Sequence, residues 1–273
     1  MSTSKVSVMA ENRPLRGRSA LVTGSTGGLG AAMAQALAGA GADVMLSGLA
    51  PAAEIETTRR AMAREHDVRV EYVEADLSDP SEVAALIAAA KTRFGAVDIL
   101  INNAVVRHFA PIEDFPVANW DAALAVNLSA AFHATRLLLP DMRAHGYGRI
   151  FNMTSVYGTR GTPNRVDYVT TKAALQGLTR AIAMENAHGD VTCHALCPGS
   201  VMTPASDQRV QELMAQSGLS RAAAEARFLE GKQPSGRFVA SQSVTQVLLL
   251  LCGPAGRDMN GAILPIDGGW LAS

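Results

Sequence analysis

The sequence has little of what disulfide-stapled or metal-binding proteins require. Of its 273 residues only three are cysteines, Cys193, Cys197 and Cys252, and they form neither an even set nor a CxxC pair. This count argues against a disulfide framework or a zinc site and favours cysteines packed in a core. The six histidines show no HExxH or paired metal spacing, so the sequence assigns no metal.

Runs of one charge sign and long hydrophobic runs are also absent. The formal net charge is −1 and no cluster of Lys or Arg occurs, so the basic patch that nucleic acids or anionic membranes require is missing. The apolar run 244–251 is too short to span a bilayer, and the polar segment 1–14 lacks the apolar core of a secretion signal. We expect a cytoplasmic protein with a flexible N-terminal tail at 1–14, a small-molecule substrate, and no nucleic-acid or membrane partner.

What the sequence does contain is a globular composition with a regular alternation. It is 48% hydrophobic and 18% charged, and residues 15–273 suffice for one large domain. Short apolar segments alternate with longer stretches rich in Ala, Leu and Glu, which is typical of a parallel sheet with crossover helices. The predicted strands are 19–23, 43–46, 69–74, 99–102, 150–154, 191–196 and 262–266. The predicted helices are 30–40, 52–64, 80–93, 119–143, 168–187, 221–229 and 242–251.

This alternation predicts the α/β class, with one doubly wound parallel sheet and helices on both faces. Ligands of such sheets bind at the carboxyl ends of the strands. The long insertion 198–239 has little periodicity. Because such insertions often cover sites, we expect a substrate lid at about 199–240.

A glycine-rich turn follows the first predicted strand. Residues 23–30 read TGSTGGLG and space three glycines as GxxxGxG, which lets backbone N–H groups and a helix N-terminus approach a dinucleotide pyrophosphate. A tight turn without a ligand is the alternative, but the position between an apolar strand and a helix favours a cofactor. The predicted contacts in this turn are Gly24, Ser25, Thr26, Gly28, Leu29 and Gly30, where Ser25 and Thr26 would add hydroxyl contacts.

The second predicted strand is followed by neither an acidic nor a basic residue, since 46–50 reads LSGLA. An acidic residue here usually receives the ribose hydroxyls of NAD, and an arginine the 2′-phosphate of NADP. Because an unpaired phosphate would be poorly compensated, NAD is favoured over NADP. Asp76 and Leu77, after the third predicted strand, are placed to receive the adenine amino group. A helix N-cap is the alternative for Asp76.

Tyr168 and Lys172 lie four residues apart and therefore present a phenol and an ammonium on one helix face. A neighbouring ammonium lowers the pKa of a phenol from about 10 towards neutrality, which makes Tyr168 the candidate acid/base. Lys172 can also donate to the nicotinamide ribose. Ser155 can hold the substrate oxygen, and Asn127 can order a water beside Lys172. A solvated helix pair and simple capping residues are the alternatives.

Taken together, the motifs resemble the short-chain dehydrogenase/reductase family over nearly the whole chain. They are the glycine-rich turn, Asn102-Asn103-Ala104, Asn127, Ser155, Tyr168-Val169-Thr170-Thr171-Lys172 and Pro198-Gly199. The resemblance implies a Rossmann-like fold, a nicotinamide cofactor, the catalytic tetrad Asn127, Ser155, Tyr168 and Lys172, and a homotetramer. It adds Asn103, Ala104, Pro198, Gly199, Val201 and Thr203 to the cofactor contacts, together with Tyr168 and Lys172. One departure is Val105, which stands where the family's NNAG motif has glycine and places a side chain beside the cofactor bed.

Within the family the chain resembles bacterial D-3-hydroxybutyrate dehydrogenases, through segments such as IEDFP at 112–116 and KQPS at 232–235. Those enzymes use NAD. At the positions that bind the substrate carboxylate in that subgroup this chain differs, with Arg107, Tyr157, Arg165, Ser200 and Arg209 in place of Gln, His, Lys, Trp and Gln. Loss of the indole enlarges the pocket, and arginines add planar donors for carboxylates.

We therefore expect an oxidoreductase for a small hydroxy acid, similar to 3-hydroxybutyrate but larger or more anionic. Pairing of the arginines with Asp141, Asp167 or Asp207 is the alternative. Two other functions stay open. One is an NADPH-dependent reductase of a ketone or a 3-oxoacyl thioester. The other is a non-catalytic NAD-binding regulatory protein, against which the intact tetrad argues.

Overall fold

The computed structural model describes residues 13–273, and its centre is a seven-stranded sheet in the order β3-β2-β1-β4-β5-β6-β7. All neighbouring strands pair in parallel. The strands are β1 Ser19–Thr23, β2 Asp43–Gly48, β3 Val70–Glu74, β4 Ile99–Asn102, β5 Gly148–Met153, β6 Val191–Pro198 and β7 Ile263–Ile266. The strand order reverses between β1 and β4, so the doubly wound, Rossmann-like sheet is confirmed. The predicted tail at 1–14 lies almost wholly outside the described residues.

Helices cover both faces of the sheet. They are α1 Gly28–Gly39, α2 Ala52–His66, α3 Pro80–Phe94, α4 Val117–Leu124, α5 Ala130–Ala144, α6 Val166–Glu185, α7 Pro204–Ser217, α8 Arg221–Leu229, α9 Ser241–Cys252 and α10 Ala255–Asp258. One core contains Leu37 of α1 and Leu248 of α9. The other core contains Leu86 of α3 and Leu138 of α5. The strands are buried from both sides, as a parallel sheet requires.

Two helical features differ from the prediction. No helix was predicted between residues 198 and 221, but helix α7 lies there. Its only buried residue is Val210, so it has almost no apolar stripe to detect. The predicted helix 119–143 is divided by a π-helical turn at Ala125–Ser129, which contains Asn127. Such π turns are frequent at functional sites. The three cysteines are free and buried.

The helical run Val117–Ala144 is long and apolar enough, by length and composition alone, to cross a membrane. Its inner residues, including Ala134 and Leu138, belong to the second core. The run therefore packs one of its faces into the core of the protein.

Beneath the carboxyl ends of the strands, a buried amide pair fixes the register of the sheet. Asn102 of β4 stands opposite Asn152 of β5, and its Nδ2 donates to the Asn152 Oδ1 at 2.8 Å. The Asn152 Nδ2 donates in turn to Thr179 Oγ1 of α6 at 2.9 Å. These bonds connect two strands and the helix that carries Tyr168.

Candidate active site

A cleft of about 740 Å³ opens at the carboxyl ends of β1, β4, β5 and β6. Helices α7 and α8 and the segment after them lie over one side, at the position predicted for a lid. At one end, here called the nucleotide end, the cleft is lined by Gly27, Leu29, Gly48, Leu49 and Asp76. At the other, the substrate end, it is lined by Ser155, Tyr157, Tyr168 and several cationic side chains.

The glycine-rich turn is built so tightly that side chains do not fit in it. Gly24 has a φ of 61°, and a Cβ there would lie 2.9 Å from the Ala104 Cα. A Cβ on Gly30 would lie 2.2 Å from the Gly24 carbonyl oxygen. The Asn103 Nδ2 donates to the carbonyls of Thr23 and Gly24 at 2.9 and 3.0 Å and so holds the turn in place.

The same turn leaves room for a ligand. A Cβ on Gly27, at the N-terminus of α1, would meet no atom within 4 Å, and Gly27 lines the cleft. Open space against a helix N-terminus fits a dinucleotide pyrophosphate. The residues present therefore fit the nicotinamide cofactor that the sequence predicted.

Not every predicted cofactor residue of the turn faces the cleft. The Ser25 Oγ accepts a hydrogen bond from Ser47 N at 2.9 Å, so it joins β1 to β2 and is not free for a ligand. The Thr26 side chain packs over Gly48, whose Cβ would lie 2.8 Å from the Thr26 Cγ2. Gly28 faces Thr203 and Pro204 at the start of α7. The expected contact of the Ser25 hydroxyl with the cofactor is corrected accordingly, because this side chain is buried and bonded to the backbone of β2. Thr26 is exposed at the turn, and its contact with the cofactor stays a prediction.

The other predicted cofactor residues line the cleft. They are Gly24, Leu29, Gly30, Asp76, Leu77, Asn103, Ala104, Tyr168, Lys172, Pro198, Gly199, Val201 and Thr203. The alternative role of Asp76 as a helix N-cap is wrong, because the cap of α3 is Asp79, whose side chain accepts from Ser81 N.

Val105 also lines the cleft. Within residues 13–273 the only non-glycine residues with positive φ are Asp67 and Asn164, so the backbone at 105 accepts a valine without strain.

Tyr168 and Lys172 lie in the first turns of α6, and Ser155 is the second residue after β5. All three residues are largely shielded from solvent, and they line the cleft. The Lys172 Nζ donates to the Met153 carbonyl oxygen at 2.5 Å and lies 5.5 Å from the centroid of the Tyr168 ring. The end of β5 therefore fixes the ammonium beside the phenol.

The pKa of the Tyr168 phenol is the result of opposing influences. Burial is the largest and raises the pKa, because it disfavours the charged phenolate. The Lys172 ammonium and then the Arg107 guanidinium lower it. A hydrogen bond from Ser155 and the charge of Arg165 lower it further, so that the pKa lies below the ordinary value for tyrosine. This is the direction that a general base requires.

Asn127 is buried beneath the cleft and does not line it. Its Oδ1 accepts from Val106 N at 2.8 Å, and its Nδ2 donates to the Val106 carbonyl at 3.1 Å. The Nδ2 also reaches Thr171 Oγ1 of α6 at 3.4 Å. The side chain thus joins the loop after β4 to the tyrosine helix.

The five predicted substrate residues, Arg107, Tyr157, Arg165, Ser200 and Arg209, all line the cleft. The Arg165 guanidinium carbon lies 4.3 Å from the centroid of the Tyr168 ring and 4.4 Å from that of Phe109. The Arg209 guanidinium carbon lies 4.7 Å from the centroid of Phe109. Side chains from three separate segments therefore meet around one phenyl ring.

The carboxylates considered as partners for these arginines are paired elsewhere. Asp141 binds Lys91 at 2.7 Å. Asp167 binds His108 at 2.9 Å, and Asp207 binds Arg221 at 2.5 Å. Among the described residues, no carboxylate forms an ion pair with Arg107, Arg165 or Arg209.

The lining residues that were not predicted include four large side chains, Phe109, Phe228, Lys232 and Trp270. Trp270 stacks edge-on against Tyr157, with 5.4 Å between ring centroids, and so supplies an aromatic wall. The Lys232 Nζ donates to the Phe228 carbonyl at 2.7 Å. A signal for both Lys232 and Trp270 existed, because Lys232 lies in KQPS and the tryptophan in DGGW at 267–270, two segments that resemble hydroxybutyrate dehydrogenases. The two phenylalanines lay outside every motif.

The base of the lid is joined to the sheet. The buried Gln233 side chain accepts from Ser200 N and donates to the Arg237 carbonyl. Val201 and Val239 form a parallel bridge. The chain segments before α7 and after α8 therefore lie side by side at the end of β6.

Comparisons with known proteins agree with this architecture. The short chain dehydrogenase family model matches residues 18–213. A D-beta-hydroxybutyrate dehydrogenase of Cupriavidus necator is 40% identical over 260 residues, covering 94% of this chain and 99% of that protein. The enzyme of the same name from Rhizobium meliloti is 37% identical, over 93% of this chain and 99% of that protein. The crystal structure of L-sorbose reductase from Gluconobacter frateurii, complexed with NADPH and L-sorbose, has a TM-score of 0.90 at 26% identity and covers 96% of this chain and 99% of that one.

Proposed function

The chain belongs to the short-chain dehydrogenase family of NAD(P)-dependent oxidoreductases acting on CH–OH groups, and we propose that it interconverts a secondary alcohol and a ketone in a small hydroxy acid. The observation that carries the proposal is the Tyr168 phenol, which borders the cleft among cations that lower its pKa. The similar hydroxybutyrate dehydrogenases support the substrate class.

Each residue of the tetrad has a proposed role. In oxidation, Tyr168 as phenolate takes the hydroxyl proton of the substrate, and in reduction it returns that proton to the ketone oxygen. Ser155 holds this oxygen, and Lys172 stabilises the phenolate and contacts the nicotinamide ribose. Asn127 supports the proton path from Lys172 through water and also holds the loop that carries Arg107. The bound nicotinamide supplies the other half of the reaction, as acceptor or donor of the hydride.

We propose NAD as the cofactor, rather than NADP. At the nucleotide end the described lining contains no cationic side chain, and the one charged group there is the Asp76 carboxylate. Gly48 and Leu49 occupy the end of β2, where an arginine would otherwise receive a 2′-phosphate. Comparison of kcat/KM for NAD and NADP tests this assignment directly. A preference for NADP would contradict it and favour the second candidate, an NADPH-dependent reductase of a ketone or a 3-oxoacyl thioester.

The central experiment is the Tyr168→Phe variant. It removes the phenolic oxygen and keeps the ring that stacks on Arg165. We expect kcat for hydroxy acid oxidation to fall by about 10²–10⁴-fold, which is the typical contribution of general base catalysis. NADH binding, followed by fluorescence, should change little. Retained turnover would remove Tyr168 from its role, and a wild-type protein that binds NADH but oxidises no substrate in a broad panel would instead be a binding protein.

We further propose that the protein is a cytoplasmic homotetramer. Large apolar side chains are exposed on the outer helices, among them Val117 of α4, Phe132 of α5 and Met184 of α6. Exposed apolar side chains of this size suit subunit contacts. Light scattering coupled to size-exclusion chromatography measures the mass, and a monomeric mass would contradict the assembly.

A further inference from the structure

The substrate end of the cleft holds more positive charge than one carboxylate can satisfy. Arg107, Arg165, Arg209 and Lys232 all line it, in addition to Lys172, which already donates to the Met153 carbonyl. The described lining of the whole cleft contains one acidic side chain, Asp76, and it lies at the nucleotide end. Uncompensated like charges in a partly buried cleft favour an anionic ligand.

Two of the arginines lie over aromatic rings. The guanidinium carbon of Arg165 lies over the rings of Phe109 and Tyr168, and that of Arg209 over the ring of Phe109. A guanidinium that stacks by its face keeps its N–H donors in the plane, where they can bind an oxyanion in a bidentate manner. The Arg165 Nε is buried and has no hydrogen-bond partner among the described residues. A ligand oxygen would satisfy it.

The cations come from two parts of the chain, and Arg165 and Arg209 share the ring of Phe109 between them. Arg107 and Arg165 both adjoin the Tyr168 ring, at 5.5 and 4.3 Å from its centroid. Arg209 and Lys232 belong to the lid, and Lys232 lies over Phe228 of α8, with its Nζ 4.0 Å from the ring centroid. Both side chains line the cleft. Burial lowers the pKa of Lys232, and the positive charge of Arg209 lowers it further.

A carboxylate has two oxygens, and a single bidentate arginine can occupy both. One carboxylate beside Tyr168 therefore leaves the pair on the lid without a counter-ion. We propose that the substrate is a hydroxy acid with two anionic groups, one bound by Arg107 and Arg165 beside the reacting carbon and the second bound by Arg209 and Lys232 under the lid. This inference rests on the proposed function of the same cleft.

Matched substrates test the second anionic group. The acids 3-hydroxypentanoate and 3-hydroxypentanedioate share the carbinol and differ in one terminal carboxylate, and 3-hydroxyhexanoate and 3-hydroxyhexanedioate repeat the comparison with a longer span. A phosphate ester, 3-hydroxy-4-(phosphonooxy)butanoate, distinguishes a phosphate from a carboxylate. We expect kcat/KM with NAD to be at least about tenfold higher for a doubly anionic acid than for its monoanionic partner, since hydrogen bonds to charged groups are each worth this much.

The variants Arg209→Gln and Lys232→Gln should each lower the ratio of the two kcat/KM values by about tenfold. Arg227 supplies the control, because it lies on α8, is exposed and pairs with Glu230. Arg227→Gln removes one positive charge from the same lid and should leave the ratio unchanged. Competitive inhibition of the wild-type enzyme by pentanedioate and pentanoate repeats the test without variants, and pentanedioate should bind at least about tenfold more tightly.

The outcomes separate the two proposals. Oxidation of monoanionic acids with equal or better kcat/KM, and equal inhibition by the two unreactive acids, would overturn the second anion and leave the hydroxy acid dehydrogenase intact. An unchanged ratio in both lid variants would likewise overturn the assigned residues. Absence of turnover with every hydroxy acid, together with reduction of neutral ketones, would remove the proposed function itself.

Discussion

Replacement of Lys172 by methionine should move the pH dependence of the reaction upward. The Lys172 Nζ lies 5.5 Å from the centroid of the Tyr168 ring, in a buried setting. At an effective dielectric constant of about 20, a unit charge at this distance stabilises the phenolate by about 3 kcal/mol. The pKa of Tyr168 should therefore rise by about two units in the variant. Methionine preserves the volume of the side chain, so packing changes little.

Arg107 provides a control at equal distance. Its guanidinium carbon also lies 5.5 Å from the centroid of the Tyr168 ring, but its side chain is exposed at the cleft. Solvent and salt screen an exposed charge more strongly than a buried one. Arg107→Met should therefore raise the pKa of Tyr168 by less than about one unit.

The assay is the pH profile of kcat/KM for alcohol oxidation, in which activity requires the phenolate and falls below the pKa of Tyr168. A raised pKa moves this acid limb to higher pH, and for ketone reduction it moves the alkaline limb in the same direction. The phenolate absorbance of the enzyme without cofactor, with Tyr168→Phe as the blank, measures the same pKa without kinetics. An acid limb that is unmoved in Lys172→Met, or moved less than in Arg107→Met, would refute the reasoning.

Two further substitutions test the framework of the cleft. Gly30→Ala places a Cβ 2.2 Å from the Gly24 carbonyl oxygen, so we expect at least about tenfold weaker NADH binding by fluorescence titration and a loss of about 1–3 kcal/mol in unfolding free energy. Gly39→Ala at the other end of the same helix, where the nearest atom is 3.6 Å away, should show neither effect. Asn127→Ala leaves the N–H and carbonyl of Val106 without their partner and should cost about 1–3 kcal/mol of stability in urea unfolding together with a lower kcat/KM. Asn127→Asp keeps an acceptor for the Val106 N–H but places a second acceptor against the Val106 carbonyl in a buried position, so it should lose at least as much as Asn127→Ala. Unchanged stability in Asn127→Ala would show that these bonds do not hold the loop.

Much of the fold followed from the sequence because parallel strands buried on both faces leave plain apolar segments. Strands β1 and β4 were predicted with their observed ends, and the others within about two residues. Helix α7 was not predicted, because it lies on the surface of the predicted lid and buries only Val210. The π turn at Ala125–Ser129 was not predicted, because the hydrophobic pattern of a helix does not mark one additional residue per turn.

The site shows the same division. Motifs with fixed spacing located Tyr168 and Lys172, and the structure places both beside one cleft. The roles of side chains that interact across long sequence distances were harder to predict from the sequence. The Ser25 hydroxyl was expected at a ligand but bonds to the backbone of the next strand. The stacking of Arg165 and Arg209 on Phe109 joins three segments that no local pattern relates.

The hydrogen-bonded asparagines between β4 and β5 have a consequence for divergence of the enzyme. Because side chains alternate between the two faces of a strand, a slip of one residue in β5 would turn Ser155 away from the phenol. The bonds from Asn102 to Asn152 and from Asn152 to Thr179 oppose such a slip from inside the protein. Segments that select the acid can therefore be exchanged during evolution or engineering, while the alignment of hydroxyl, phenol and ammonium is inherited unchanged.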